Sequence, residues 1–132
     1  MNSLKGIIEA VNVSGDLSII TVKVAHTNFS AIVIDTPQTD PYLVKGNPIQ
    51  VIFKETEVII GVGSVDGISL RNKLFGKVVS IDSDNLLSKL VVDTDVGLIT
   101  SIITTNSVKR LKIEIGTALT AMIKTNELML SK

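Results

Sequence analysis

Side chains that can donate hydrogen bonds gather in three short segments of the second half of the chain. Ser69 and Arg71 lie two residues apart, so an extended backbone would send both side chains to one side. The other segments are residues 104–107, with the sequence Thr-Thr-Asn-Ser, and the pair Lys124 and Thr125. Two of these side chains are cations, and no carboxylate lies within the three segments. This composition predicts a site for an oxyanion that only accepts hydrogen bonds.

The elements that would position these segments are mostly short β-strands. Five runs in the second half are rich in β-branched residues and are separated by turn residues, which predicts five strands. A helical signal follows the third run, because capping residues at 104–107 precede Val108 and Leu111, with basic residues near the end. Five strands with a short helix between the third and the fourth predict an OB-like barrel. The start of that helix would add free backbone N–H groups to the hydroxyls of Thr104 and Ser107.

The chain contains two copies of this pattern, related by a shift of 70 residues. Most aligned pairs keep their apolar character without a gap, and the glycine-rich residues 61–67 join the two copies. We therefore expect an all-β fold of two tandem OB-like five-stranded barrels, with domains at residues 1–62 and 68–132. Identical pairs include Leu4 and Leu74, Gly6 and Gly76, Leu17 and Leu87, Ser18 and Ser88, Val22 and Val92, and Lys54 and Lys124.

The first copy differs from the second where the helix is expected. Its matching stretch, residues 35–41, contains Pro37 and Pro41. Two prolines four residues apart do not sustain an ordinary helical turn, because each lacks the backbone N–H that the turn needs. We expect an irregular loop there, so only the second copy would present the N-terminus of a helix.

Composition excludes several classes of function. The 132 residues include 13 basic and 13 acidic side chains, and zero net charge argues against a nucleic-acid or anionic-membrane binder. Cysteine is absent and His26 is the only histidine, which argues against thiolate metal sites and a Ser-His-Asp triad. Aromatic residues make up 3% of the chain, too few for a surface that stacks bases. We find no apolar run of about 18 residues and no signal-peptide core, and so expect a cytoplasmic protein without a membrane partner.

The second copy resembles the Mop, or molbindin, domain. The pattern Ser-x-Arg-Asn-x-Leu-x-Gly-x-Val spans residues 69–78, Ile-Thr-x-x-Ser-Val spans 103–108, and Leu-Thr-Ala-x-Ile-Lys spans 119–124. The resemblance covers residues 68–131 and extends weakly to the first copy, so the whole chain is similar to a di-Mop protein. It implies an OB-like fold and the binding of molybdate or tungstate between subunits, as the oxyanion and without an organic cofactor.

Carried over by position, the resemblance implies an anion site that two chains share. Leu70 and Arg110 depart from the family, in which small residues are usual at these positions, and Leu70 would narrow the pocket. The resemblance assigns no protein ligand to a metal ion, since molybdenum would be bound only within its oxyanion. One subunit would supply Ser69, Arg71, Lys124 and Thr125, and its neighbour would supply Thr104 and Ser107.

The first copy departs much further from the family pattern. Met1 stands where the second copy has its arginine, and Glu55, which would repel a dianion, stands where it has its threonine. Ile34 and Pro37 replace the two hydroxyl residues of the helix start, and Lys54 is retained. We therefore expect the first copy to be a structural partner that lacks this kind of site. A different site on a symmetry axis stays open.

These observations predict a cytoplasmic protein that binds molybdate or tungstate for storage or homeostasis. We do not expect an enzyme, because no base, nucleophile or metal set converges. A barrel of about 60 residues buries only about 60% of its unfolded surface, so we expect a homo-oligomer, for which the family resemblance favours a trimer over a dimer. The alternative is a regulatory or protein-interaction module whose anion site is vestigial. A nucleic-acid-binding OB protein is disfavoured by charge and composition.

Overall fold

A computed structural model describes all of residues 1–132 and shows a mostly β-sheet protein. The α-helix, α1, comprises Thr105–Arg110, and two 3-10 turns comprise Glu55–Glu57 and Thr125–Glu127. None of these helical segments is long and apolar enough to cross a membrane. The strands are β1 (Asn2–Ser14), β2 (Leu17–Val24), β3 (Thr27–Val33), β4 (Pro48–Phe53), β5 (Ile59–Gly61), β6 (Asn72–Ser83), β7 (Leu87–Thr94), β8 (Gly97–Thr104), β9 (Ala118–Ile123) and β10 (Met129–Ser131).

The strands form two five-stranded antiparallel sheets, with the orders β10-β4-β1-β2-β3 and β5-β9-β6-β7-β8. The helix α1 lies between the third and fourth strands of the second repeat, whereas residues 34–47 of the first repeat form turns and bends without a helix. This architecture confirms the prediction of an all-β chain with two OB-like units and one short helix. It also confirms the irregular loop at residues 35–41.

The two repeats exchange their fifth strands, which the sequence analysis did not anticipate. β5 pairs with β9 of the second repeat, where Ile59 lies opposite Met122. β10 pairs with β4 of the first repeat, where Met129 lies opposite Ile52. The sequence pattern of a fifth strand is the same whether that strand joins the sheet of its own repeat or the sheet of the other repeat. Each repeat therefore completes its sheet only with three residues from the other.

A continuous hydrophobic core joins the repeats. A cluster of 17 buried residues contains Ile8, Val51 and Phe53 of the first repeat together with Ile99 and Ile123 of the second. Because apolar surface from both halves is buried in one cluster, the hydrophobic stabilisation of each half depends on the other. The chain therefore has a core that bridges its two sequence repeats.

A smaller cluster explains why the second repeat keeps its helix. It comprises five buried residues, and Val108 and Leu111 of the α1 segment pack against it. These two residues are three positions apart, so they project from the same face of a helical turn. The prediction of a short helix from these residues is confirmed, and their packing accounts for its position.

Two buried asparagines fasten the repeats to each other. The Asn2 side chain pairs with the backbone of Thr100, accepting from its N–H at 2.9 Å and donating to its carbonyl at 2.8 Å. The Asn72 side chain pairs in the same way with Ser30, accepting from its N–H at 2.7 Å and donating to its carbonyl at 3.0 Å. Asn2 and Asn72 are equivalent in the 70-residue repeat, so the seam between the halves is held by two equivalent pairs of bonds.

Candidate functional site

Arg71 and Lys124 leave the sheet at the same place. The last pair of the β6–β9 ladder is Asn72 opposite Ile123, so Arg71 and Lys124 occupy the next position outward on neighbouring strands. The backbone of Lys124 is still extended, with φ −68° and ψ 144°. Both residues are exposed. The register therefore brings the two cations of the second repeat to adjacent strand ends, facing solvent.

Neither cation is neutralised within the chain. The two ion pairs of the structure join the Met1 ammonium to Glu55 and Lys132 to Asp40, and they include neither Arg71 nor Lys124. Two free cations on neighbouring strand ends favour an anion, because charge-assisted hydrogen bonds are stronger than neutral ones.

Hydroxyl groups flank this pair of cations. Ser69 is exposed and lies just after the linker, three residues before β6 begins. Thr125 is half-buried and opens the 3-10 turn that follows Lys124. Neither the Ser69 hydroxyl nor the Thr125 hydroxyl makes a hydrogen bond within the chain. Glu127 closes the same turn and is the carboxylate closest in sequence.

Asn72 fixes the base of this cluster. Its side chain is 1% exposed and donates to the Ile123 carbonyl at 3.0 Å, in addition to its two bonds with Ser30 of β3. The 3-10 turn at 125–127 also packs against β3. Arg71, Lys124 and Thr125 therefore lie beside the seam between the two repeats. Contacts with β3 of the first repeat support the backbone that carries these residues.

The helix start forms a second cluster of hydroxyls. Thr104 caps α1, because its Oγ1 accepts from the Ser107 N–H at 3.1 Å and donates to the Ser107 Oγ at 2.8 Å. Beneath them, buried Thr105 donates to the Asp84 carbonyl at 2.9 Å and bonds with the Ser88 hydroxyl at 2.9 Å. Exposed Thr104 and half-buried Ser107 are thus held at the surface by an anchored first turn.

The two clusters lie at opposite ends of β6. Arg71 precedes the first residue of this 12-residue strand. Thr104 lies opposite Leu87, beside the pairing of Ser83 with Ser88 at the far end of the strand. The structure thus brings Arg71 together with Lys124 and Thr125, and it brings Thr104 together with Ser107. It does not join the two groups within one chain.

The corresponding position in the first repeat holds an ion pair of its own. The Met1 ammonium, which stands in place of Arg71, donates to the Glu55 carboxylate at 2.7 Å. This hydrogen bond, assisted by one from the Glu55 backbone, lowers the pKa of the Glu55 carboxyl. Lys54 is exposed, and Ile34 is 81% exposed where the second repeat has its helix cap. In the first repeat, the cation that a bound anion would need is therefore already paired with a carboxylate of the same chain.

Sequence reasoning missed the structural part played by the asparagines. Asn2 and Asn72 recur at the 70-residue spacing, which was a usable signal. A polar residue shared by two β-rich repeats suggests a buried hydrogen bond, because buried polar side chains need partners. The partner strand was not readable, since it belongs to the other repeat.

Residues 68–130 match the TOBE domain family. Molybdenum-pterin-binding proteins 3 and 1 of Clostridium pasteurianum are 39% and 41% identical to this chain over 64 residues, which is 48% of this chain and 94% of each relative. Among solved structures, the cytoplasmic molybdate-binding protein ModG with molybdate bound is similar, with a TM-score of 0.91. Its sequence identity is 22%, and the match covers 98% of this chain and 94% of that chain. At this identity the likeness concerns the fold.

Proposed function

Because this chain belongs to the Mop family of molybdenum-pterin-binding proteins, which carry TOBE domains, we propose that it binds molybdate as an oxyanion. Its relatives are named as binding proteins, and the chain is accordingly a binding protein and not an enzyme. We assign the site to the repeat of residues 68–132. The repeat of residues 1–62 serves as its structural support.

One observation carries this proposal, namely the contrast between the two repeats at the same position. In the second repeat, Arg71 and Lys124 are free cations on adjacent strand ends. In the first repeat, the ammonium of Met1 is already paired with Glu55. A tetrahedral dianion is attracted to the first arrangement and repelled by the carboxylate of the second.

We assign the two clusters to two different chains, which together would complete one anion site. Ser69, Arg71, Lys124 and Thr125 would bind the anion from one chain, and Thr104 and Ser107 would reach it from a neighbour. The separation of the clusters at opposite ends of β6 supports this division, because one chain does not join them. The site then requires a homo-oligomer, and we favour a trimer over a dimer.

We further propose a cytoplasmic role in molybdate storage or homeostasis, with tungstate as an alternative ligand and no organic cofactor. The solved relative of the same fold is described as cytoplasmic and molybdate-binding, which supports this role. Tungstate has nearly the same size and charge as molybdate and would meet the same donors.

Selectivity among oxyanions tests the chemistry of the site. Near neutral pH, molybdate carries no proton, whereas phosphate always carries at least one O–H that needs an acceptor. The assigned residues offer donors, and a buried donor left without a partner costs about 1–3 kcal/mol, or about five- to a hundred-fold in affinity. Sulfate has shorter bonds and would not reach every donor of a pocket shaped for molybdate.

Competition calorimetry on the whole chain should therefore rank the anions as tungstate equal to molybdate, then sulfate, then phosphate. Phosphate competing as well as tungstate would show that an acceptor such as Glu127 lines the site, and the donor-only pocket would be wrong. No binding of molybdate or tungstate at millimolar concentration would instead favour an interaction module with a vestigial site. Native mass spectrometry with and without molybdate would give the stoichiometry and the oligomeric state.

A further inference from the structure

Two surface grooves lie at equivalent positions of the two repeats. The groove of the first repeat, called here the basic groove, is lined by Lys5, Ile7, Glu9 and Lys23 around Gly6. The groove of the second repeat, called the acidic groove, surrounds the equivalent Gly76. Its lining includes Phe75, Lys77, Val79, Asp93, Asp95 and Ile115.

The charges of the two grooves are inverted. The basic groove has two cations, Lys5 and Lys23, and one anion, Glu9. The acidic groove has two anions, Asp93 and Asp95, and one cation, Lys77. Lys23 and Asp93 occupy the same position of the 70-residue repeat. None of these side chains takes part in the two ion pairs of the chain, so each charge is available to a partner.

Apolar side chains accompany these charges and are left open to solvent. Phe75 is 68% exposed and Ile115 is 69% exposed in the acidic groove, and Ile7 is 51% exposed in the basic groove. Exposed aromatic and aliphatic side chains rimmed by charges are typical of protein interaction sites. An occupant that fits the acidic groove must bring apolar surface and a net positive charge.

We propose that the basic groove of one chain docks onto the acidic groove of a second copy of the same chain. Lys5 and Lys23 of one copy face Asp93 and Asp95 of the next, Glu9 faces Lys77, and Ile7 covers Phe75. The sequence differences between the repeats make that contact complementary, whereas two identical grooves would repel.

Each chain carries both grooves, so the contact is repeated from copy to copy. Head-to-tail contacts of this kind close into a ring when the rotation between copies allows it. The inference rests on the homo-oligomer of the proposed function, and it adds a second contact between chains beside the shared anion site. The residues of the anion site are not part of either groove.

Charge reversal tests the contact. Lys23→Glu and Asp93→Lys each place like charges face to face, and each should weaken assembly about tenfold or more in sedimentation equilibrium. The double variant Lys23→Glu/Asp93→Lys restores opposite charges and should recover most of the assembly. Lys89→Glu reverses an exposed charge on β7 outside both grooves, and it should assemble like the unmodified chain. Thermal unfolding of every variant checks that the fold is retained.

The outcomes separate this inference from the proposed function. Unchanged assembly of both single variants, or a double variant no better than the weaker single one, would overturn the groove contact. An unmodified chain that remains monomeric at micromolar concentration would overturn both the contact and the shared anion site. Normal assembly with no binding of molybdate would overturn the anion site alone and leave the groove contact standing.

Discussion

Ser18 and Ser88 are equivalent residues of the two repeats, both fully buried, yet only the Ser88 hydroxyl has partners. Ser88 Oγ lies 2.7 Å from the hydroxyl oxygen of Ser83 and 2.9 Å from that of Thr105. Ser18 Oγ has no hydrogen-bond partner. Val13 stands where the second repeat has Ser83, and the first repeat has no helix to supply a counterpart of Thr105. Ser18 therefore lacks the hydrogen-bond network that surrounds Ser88 in the second repeat.

This contrast predicts opposite responses to the same substitution. Ser18→Ala should leave stability unchanged or raise it, because it removes a buried hydroxyl without a partner. Ser88→Ala should lower stability by about 1 kcal/mol, because it breaks two hydrogen bonds. Urea unfolding of both variants measures the difference. A loss with Ser18→Ala equal to that with Ser88→Ala would mean that Ser18 has a partner, such as a buried water.

The asparagine seam predicts a large effect from a small polar deletion. Asn72→Ala leaves the N–H and carbonyl of Ser30 without their partner and should cost about 2–3 kcal/mol of unfolding free energy. Asn2→Ala should act similarly through Thr100. Asn126→Ala, at an exposed residue of the second 3-10 turn, is the matched control and should be nearly neutral. Equal stability of Asn72→Ala and Asn126→Ala in urea would contradict the seam.

Gly76, at the centre of the acidic groove, lies too close to its neighbours to carry a side chain. A Cβ there would collide with the Asp93 carbonyl oxygen and lie 2.8 Å from a methyl of Val92. Gly76→Ala should therefore destabilise the fold by about 1–3 kcal/mol or more, since the backbone must shift. Gly67→Ala meets no atom within 4 Å and should be neutral or slightly stabilising. Thermal melts that rank the two variants in the reverse order would contradict this account.

Arg71 predicts the location of the anion site. Its guanidinium should supply a charge-assisted contact worth about 1.5–3 kcal/mol, so Arg71→Ala should weaken molybdate binding about tenfold or more. The fold should persist, because the side chain is exposed. Lys54→Ala, in the first repeat, should change binding little. Equal losses of affinity in calorimetry would show that the site is assigned to the wrong repeat.

Asp84 predicts an acid-sensitive contribution to stability. Its carboxylate accepts from the N–H groups of Leu87 and Leu86, each at 2.8 Å, and these bonds lower the pKa of Asp84. A pKa lowered in the folded state stabilises the fold above the ordinary aspartate pKa of about 3.9, and this contribution disappears as pH falls through the lowered value. Asp84→Asn keeps an acceptor that does not titrate. The stability difference between the two chains should shrink between about pH 5 and pH 2. A constant difference across that range would exclude the carboxylate as its source.

The sequence predicted what depends on local chemistry. The positions of Val108 and Leu111 indicated the helix, and Pro37 with Pro41 indicated the loop that replaces it. The five runs rich in β-branched residues indicated the five strands of the second half, which the structure has as β6 to β10. The approach of Arg71 to Lys124 followed from the family resemblance, and the β6–β9 register supplies its physical reason.

What depends on the other repeat was not predictable. The exchange of β5 and β10 leaves no local trace, because an exchanged strand and a retained strand satisfy the same hydrogen-bond pattern. Asn72 and Ser30 are 42 residues apart in the sequence and belong to different sheets. The ion pair between Glu55 and the Met1 ammonium was not predictable either, because the sequence shows only that a glutamate stands where the second repeat has a threonine.

The exchanged strands also determine the order in which the chain can mature during synthesis. Proteins are generally made at about 5–20 residues per second and fold from the N-terminal side as they emerge. Here the first sheet includes Met129–Ser131, so a nascent chain that has emerged only as far as Gly61 still has an open edge on β4. Contacts between such distant positions are slow to form, because a long loop must close first. The first repeat is therefore translated first but completed last, and its β4 edge stays unpaired until Met129–Ser131 have emerged.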